Sequence, residues 1–152
     1  MSIEIKRIDG TVAYESQSAT SLKEAAEEAV RQGVSLARAH FPGANFSGAD
    51  FSLANFYKAD FYGANFYGAE GILHVGPVDG WDMYAVRWDD GPRIKAGCRW
   101  FTVSEARKWW GKGGAPGNKP EHGPLMLAGV EALVALARAH GWEMPPGQEV
   151  AS

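Results

Sequence analysis

The chain has 152 residues, a net charge of −3 and an isoelectric point near 5.8, without the basic excess that general nucleic-acid binding requires. A single cysteine, Cys98, excludes an internal disulfide. The 45% apolar content is enough for one compact domain or two small ones. The first element is a hairpin: Ile3, Ile5 and Ile8 lead to Asp9-Gly10, then Val12 and Tyr14, and Asp-Gly between two such runs is a strong hairpin signal. Ser21 and Glu24 have capping-box spacing. They open a helix over Leu22–Gln32 whose stripe is Leu22, Ala25, Ala26, Ala29 and Val30, ended by Gly33. This stripe is expected to cover the first turn of the segment beyond Gly33, because repeat structures need end caps.

From Val34 the sequence repeats every five residues. The units read ValSerLeuAlaArg (34–38), AlaHisPheProGly (39–43), AlaAsnPheSerGly (44–48) and AlaAspPheSerLeu (49–53). AlaAsnPheTyrLys (54–58), AlaAspPheTyrGly (59–63), AlaAsnPheTyrGly (64–68) and a degenerate AlaGluGlyIleLeu (69–73) come next. This resembles the pentapeptide-repeat family, whose units run Ala, Asp or Asn, Leu or Phe, then two looser positions. The resemblance implies a right-handed, four-sided β-helix in which four units make one coil, hence two coils here. In that frame the alanines from Ala39 to Ala69 point inward, and Leu36, Phe41, Phe46, Phe51, Phe56, Phe61 and Phe66 fill the axis. Residues twenty apart then stack, Phe41 on Phe61 and Phe46 on Phe66. Gly43, Gly48, Gly63 and Gly68 suit corners needing positive φ, and Gly71, in the place of the next core Phe, ends the stack. Some family members are long acidic rods that imitate DNA and bind gyrase. Two coils, about 10 Å tall at strand spacing, with few acids, do not offer such a surface.

All six tryptophans lie beyond residue 80, which sets the C-terminal part apart as a second module. Strands are expected over Ile72–Val75, Met83–Trp88 and Arg93–Trp100, with a loop at Gly76–Gly80 and a turn from Asp89. Thr102 and Glu105 form a second capping box, opening a helix to Trp110. The run from Gly111 to Pro120 is a flexible loop by composition. A last helix runs from about Pro124 to His140, with Leu125, Gly129, Ala132, Leu133, Leu136 and Ala137 buried, and the tail beyond is loose. The pattern GlyPro, TyrAlaVal, AlaGlyCys, Phe-Thr and Glu-Ala before a helix resembles C-terminal modules that accompany pentapeptide repeats in phage and prophage proteins. That likeness implies a phage context rather than an activity.

Little in the sequence points to catalysis. Alternation along Arg93–Trp100 puts Cys98 with Ile94, Ala96 and Trp100 on an apolar face, so it reads as a structural thiol. As a nucleophile it would need His74 or His122 as a base. The opposite face carries Arg93, Lys95 and Arg99, with Arg87 from the neighbouring strand. These four form either a solvated face or an anion site for a phosphate, a nucleotide or an acidic surface, with Trp81 and Trp109 placed to stack on a base. Tyr57, Tyr62 and Tyr67 each follow a core Phe and face outward. They are a contact surface for a protein partner or are covered by the C-terminal module. The histidines lack metal-ligand spacing, and no phosphate-binding glycine loop is present.

These observations give a mainly β fold with α. A right-handed quadrilateral β-helix of about two coils (34–73) carries an N-terminal hairpin and capping helix (1–33). A small α+β domain (74–142) and a flexible tail (143–152) complete the chain. The expected function is a non-enzymatic interaction protein, phage-encoded, that binds and inhibits a host factor such as an antiviral defence component. The alternative is a small-ligand binder sequestering a nucleotide or other anionic signal through Arg87, Arg93, Lys95 and Arg99. No cofactor or metal is expected, DNA and membrane are not expected as partners, and the end near Gly71 is a candidate homodimer interface. Lacking an export signal, the chain reads as cytoplasmic.

Overall fold

The computed structural model describes residues 2–97, 99–111 and 123–144. The chain divides into two compact units, residues 1–72 and 73–152. Among the described residues it is mainly β, with antiparallel sheets and three helices.

In the first unit, β1 (Ile3–Lys6) and β2 (Val12–Ser16) pair antiparallel, Ile3 opposite Ser16 and Ile5 opposite Tyr14, with a register shift between Ile5 and Lys6. The connection is longer than a two-residue turn. Arg7 N–H donates to the Thr11 carbonyl, and Asp9 Oδ1 accepts from the Thr11 amide and hydroxyl. Ile8 therefore leaves the strand and is exposed. Helix α1 (Leu22–Arg31) begins at Ser21, whose side chain accepts from the Glu24 amide. Only that half of the capping box forms, because the Glu24 carboxylate accepts instead from the Thr20 amide and hydroxyl. Ala25, Ala26 and Ala29 are its buried face. The cap is hydrogen-bonded to the start of the repeats: Ile8 N–H donates to Arg38 O, His40 N–H to Lys6 O, and Asp50 N–H to the Glu27 carboxylate.

Among the repeats no strand resembles those of the two sheets. Single parallel bridges join residues twenty apart: His40 with Asp60, Asn45 with Asn65, Asp50 with Glu70. The local chemistry explains why they are single. Each unit closes a turn, as in Phe41–Ala44, Phe46–Ala49 and Phe56–Ala59, where the alanine N–H donates to the Phe carbonyl. The third turn residue has positive φ at Arg38, Gly43, Gly48, Leu53, Lys58, Gly63 and Gly68. Asn45, Asp50, Asn55, Asp60 and Asn65 each accept, through Oδ1, the N–H two residues on, as Asn45 does from Ser47 and Asp60 from Tyr62. One extended residue per unit is left to pair. Amides of residues 36–51 donate to carbonyls nineteen residues on, Phe41 to Asp60 and Phe46 to Asn65. Inside, Phe41, Phe46, Phe51 and Phe56 are fully buried. Neighbouring rings meet edge to face, Phe41–Phe46 at 5.0 Å and Phe56–Phe61 at 4.7 Å. Phe41 and Phe61 stack at 6.0 Å with planes 9° apart, and Phe46 and Phe66 lie 5.7 Å apart, tilted by 30°. Gly71 closes the series. It is buried at φ 75°, and a Cβ there would stand 2.5 Å from Ser52 Cα.

The second unit holds a four-stranded sheet in the order β3-β4-β5-β6, formed by Ile72–Val78, Trp81–Val86, Arg93–Ala96 and Arg99–Thr102. The first strand runs past the loop expected at Gly76. The strand expected over Arg93–Trp100 is two strands, because Gly97 at φ 57° turns the chain back and sets Ile94 opposite Phe101 and Ala96 opposite Arg99. Helix α2 (Val103–Trp110) has the full capping box: Thr102 accepts from the Glu105 amide, and the Glu105 carboxylate accepts from the Thr102 amide. It packs with α3 (Gly123–Ala139) on Met83, Ala85, Ile94 and Ala96, and Arg107 grips Glu131 with two 2.8 Å hydrogen bonds. The face α3 buries is Met126, Gly129, Val130, Leu133, Val134 and Ala137, whereas Leu125, Ala132 and Leu136 are exposed. A helix this apolar all round gives its sequence no unique phase, and the close approach at Gly129 sets it. A Cβ on Gly129 would lie 2.5 Å from Met83 Sδ.

Candidate binding surfaces

The three repeat tyrosines occupy the second position of successive turns. Their amides donate to the side chains of Asn55, Asp60 and Asn65, and the alanines that follow close the turns. The backbone beneath each ring is thereby fixed twice. Tyr62 and Tyr67 are 83% and 84% exposed, and Tyr57 is 38% exposed with Lys58 Nζ 5.3 Å from its ring centre.

The four cations of the second unit are not brought to one open face. Lys95 is only 4% exposed, and its Nζ donates to the Gly97 carbonyl at 2.6 Å. Arg93 is held by both carboxylate oxygens of Asp90 and by the Gly91 carbonyl, and its guanidinium lies 4.9 Å from the Trp88 ring. The Arg93 fork pulls the Asp90 carboxyl below its ordinary range. Arg87 and Arg99 are exposed, and Arg99 stacks on Trp109 at 4.3 Å. The face that alternation assigned to Arg99 also changes. Its partner across the strands is Ala96, on the helix-covered side, while Lys95 faces Tyr84 and Trp100. Cys98 and His122 lie outside the described residues, as do residues 112–122 of the glycine-rich loop and residues 145–152 of the tail.

Two histidines have acidic partners. His40 Nδ1 lies 3.3 Å from Asp60, twenty residues on and therefore legible from the repeat. His74 Nε2 lies 2.9 Å from Asp82 on the adjacent strand, and its ring stacks on Tyr84 at 4.7 Å. Among the described residues no group of three His, Cys, Asp or Glu is placed to hold a metal ion, and no helix is long and apolar enough to cross a membrane. On α1, Glu28 accepts from the hydroxyls of Tyr14 (2.6 Å) and Ser16 (2.7 Å) on β2. These bonds lower the Glu28 carboxyl and raise the Tyr14 phenol.

Comparison with known proteins supplies one match. The family model of pentapeptide repeats fits residues 32–69 in eight copies, so the chain carries pentapeptide repeats over that segment. The match stops before the segment likened to phage modules. Neither a curated protein nor a solved structure matches the chain.

Proposed function

We propose that the protein is a non-enzymatic binding module whose repeats form two coils of a right-handed quadrilateral β-helix and present Tyr57, Tyr62 and Tyr67 to a protein partner. The coil assignment is supported by the twenty-residue bridges and by positive φ every fifth residue. The observation that carries the binding assignment is the exposure of Tyr62 and Tyr67 on backbone already fixed by side-chain hydrogen bonds. Tyrosine brings large contact area with few rotatable bonds, and a pre-ordered backbone lowers the entropy cost of association. In its narrower form the partner is a host factor that the protein inhibits. That form rests on the phage-like pattern of the C-terminal sequence alone.

The test is capture from a bacterial lysate with wild type and the Tyr57/Tyr62/Tyr67→Ser triple variant, the latter checked for an unchanged circular dichroism spectrum. The proposal expects at least one protein retained by wild type and lost from the variant. Identical sets, or no retained protein, overturn it.

A further inference from the structure

Of the cations in the second unit, Arg99 stands out by what surrounds it. Its guanidinium lies on one side against the half-buried Trp109 ring at 4.3 Å, and the residue is exposed. Two residues before it, Gly97 makes the hairpin turn and carries the Trp81 indole. A Cβ at Gly97 would stand 2.9 Å from Trp81 Cε3, so the ring rests where any other residue would push it away. Trp81 nevertheless stays 51% exposed. An indole seated on a glycine turn, half open to water, is a rigid stacking surface. A guanidinium lying over the face of a second indole can direct its N–H groups to an anion. The chain Trp81–Gly97–Arg99–Trp109 thus places a π-face and an oriented cation at one hairpin end.

We propose that this hairpin end binds a free mononucleotide, its base stacked on Trp81 and its phosphate hydrogen-bonded by Arg99. Base stacking and guanidinium–phosphate pairing are the two interactions these groups supply. The choice of a mononucleotide over single-stranded nucleic acid follows from charge. The chain is net acidic. Lys95 and Arg93 turn inward or are paired to Asp90. One oriented arginine serves one phosphate, whereas a polyanion requires several contacts. The site is independent of the tyrosines, and either proposal stands without the other.

Titration calorimetry of the full chain with AMP, GMP, adenosine and a hexa-deoxyadenylate tests it. Wild type is expected to bind AMP or GMP saturably, and AMP at least fivefold tighter than adenosine. Arg99→Gln should bind AMP and adenosine alike, Trp81→Ala should weaken AMP at least fivefold, and Arg87→Gln should change nothing. Gly97→Ala provides a second route, since it displaces the Trp81 ring while leaving that side chain in place, and it too should weaken AMP. Thermal melts confirm that each variant folds. No saturable binding of either mononucleotide at 10 mM, equal affinity for AMP and adenosine in wild type, or an unaltered Trp81→Ala would each overturn the proposal. Tighter binding of the hexamer than of AMP would overturn the choice of a free nucleotide.

Discussion

Replacing Phe46 by alanine removes a fully enclosed ring of the repeat core. Phe46 is fully buried and touches Phe41 and Phe51 edge to face at 5.0 Å each and Phe66 at 5.7 Å. Truncating such a ring costs about 3–5 kcal/mol, since the neighbours cannot close the hole. A unit of 72 residues has roughly 4–11 kcal/mol of stability in all, so the variant loses about a quarter of it or more. Phe66 provides the comparison. It shares the Phe46 contact and meets Phe51 and Phe61, but is only half-buried. Its truncation should cost about half as much, because less apolar surface leaves water. Amide hydrogen exchange reads the difference in the unit itself. The amides of Phe41, Phe51 and Asp60 cross between residues nineteen to twenty-one apart. With a tenfold change per 1.4 kcal/mol, Phe46→Ala should speed their exchange by about two to more than three orders of magnitude, and Phe66→Ala by about one to two. Equal effects of the two variants, or less than tenfold for Phe46→Ala, would refute the packing argument.

Leu53 holds positive φ, at 68°, and is exposed. A left-handed conformation costs a side-chain-bearing residue about 1–2 kcal/mol, against roughly 0.5–1 kcal/mol of extra chain entropy for glycine. Leu53→Gly should therefore raise the melting temperature, and Gly43→Ala, where nothing obstructs the new methyl group, should lower it; thermal melts followed by circular dichroism decide both signs. Gly71→Ala combines positive φ with a methyl group driven into the Ser52 backbone. It should cost more than Gly43→Ala, measured the same way, and an equal shift would contradict the close approach. Glu28 has a folded pKa below its ordinary value near 4.5 because it accepts from Tyr14 and Ser16. The unfolded chain thus binds that proton more readily. The stabilisation is complete above about 4.5 and disappears as pH falls through the lowered value. Wild type should melt above Glu28→Gln at pH 7, and the two should converge as the solution is acidified. A constant gap would mean the carboxylate's charge plays no part.

Much of the first unit was legible because its contacts are local or recur at a fixed offset. A turn every five residues needs only an Ala, an Asx and a corner residue close together. Once the period is known, Phe41 over Phe61 and His40 beside Asp60 follow without further information. Even the Asn or Asp of the five units from Ala44 to Gly68 has a local cause, the amide two residues on, a role the periodic pattern signals without explaining. The second unit depended on partners that lie apart in sequence. Whether Arg93–Trp100 is one strand or two rests on Gly97 reversing the chain, which alternation cannot register. That reversal put Arg99 on Trp109 and left Lys95 buried, dissolving the cation cluster. The buried face of α3 was set by Gly129 meeting Met83, not by periodicity, because residues all round that helix are apolar. The sequence alone determined the repeat, its period and its aromatic core, since these are written in neighbouring residues. Only the tertiary structure decided which charges and rings of the second unit meet, since burial and pairing there are properties of strands and helices brought together from a distance.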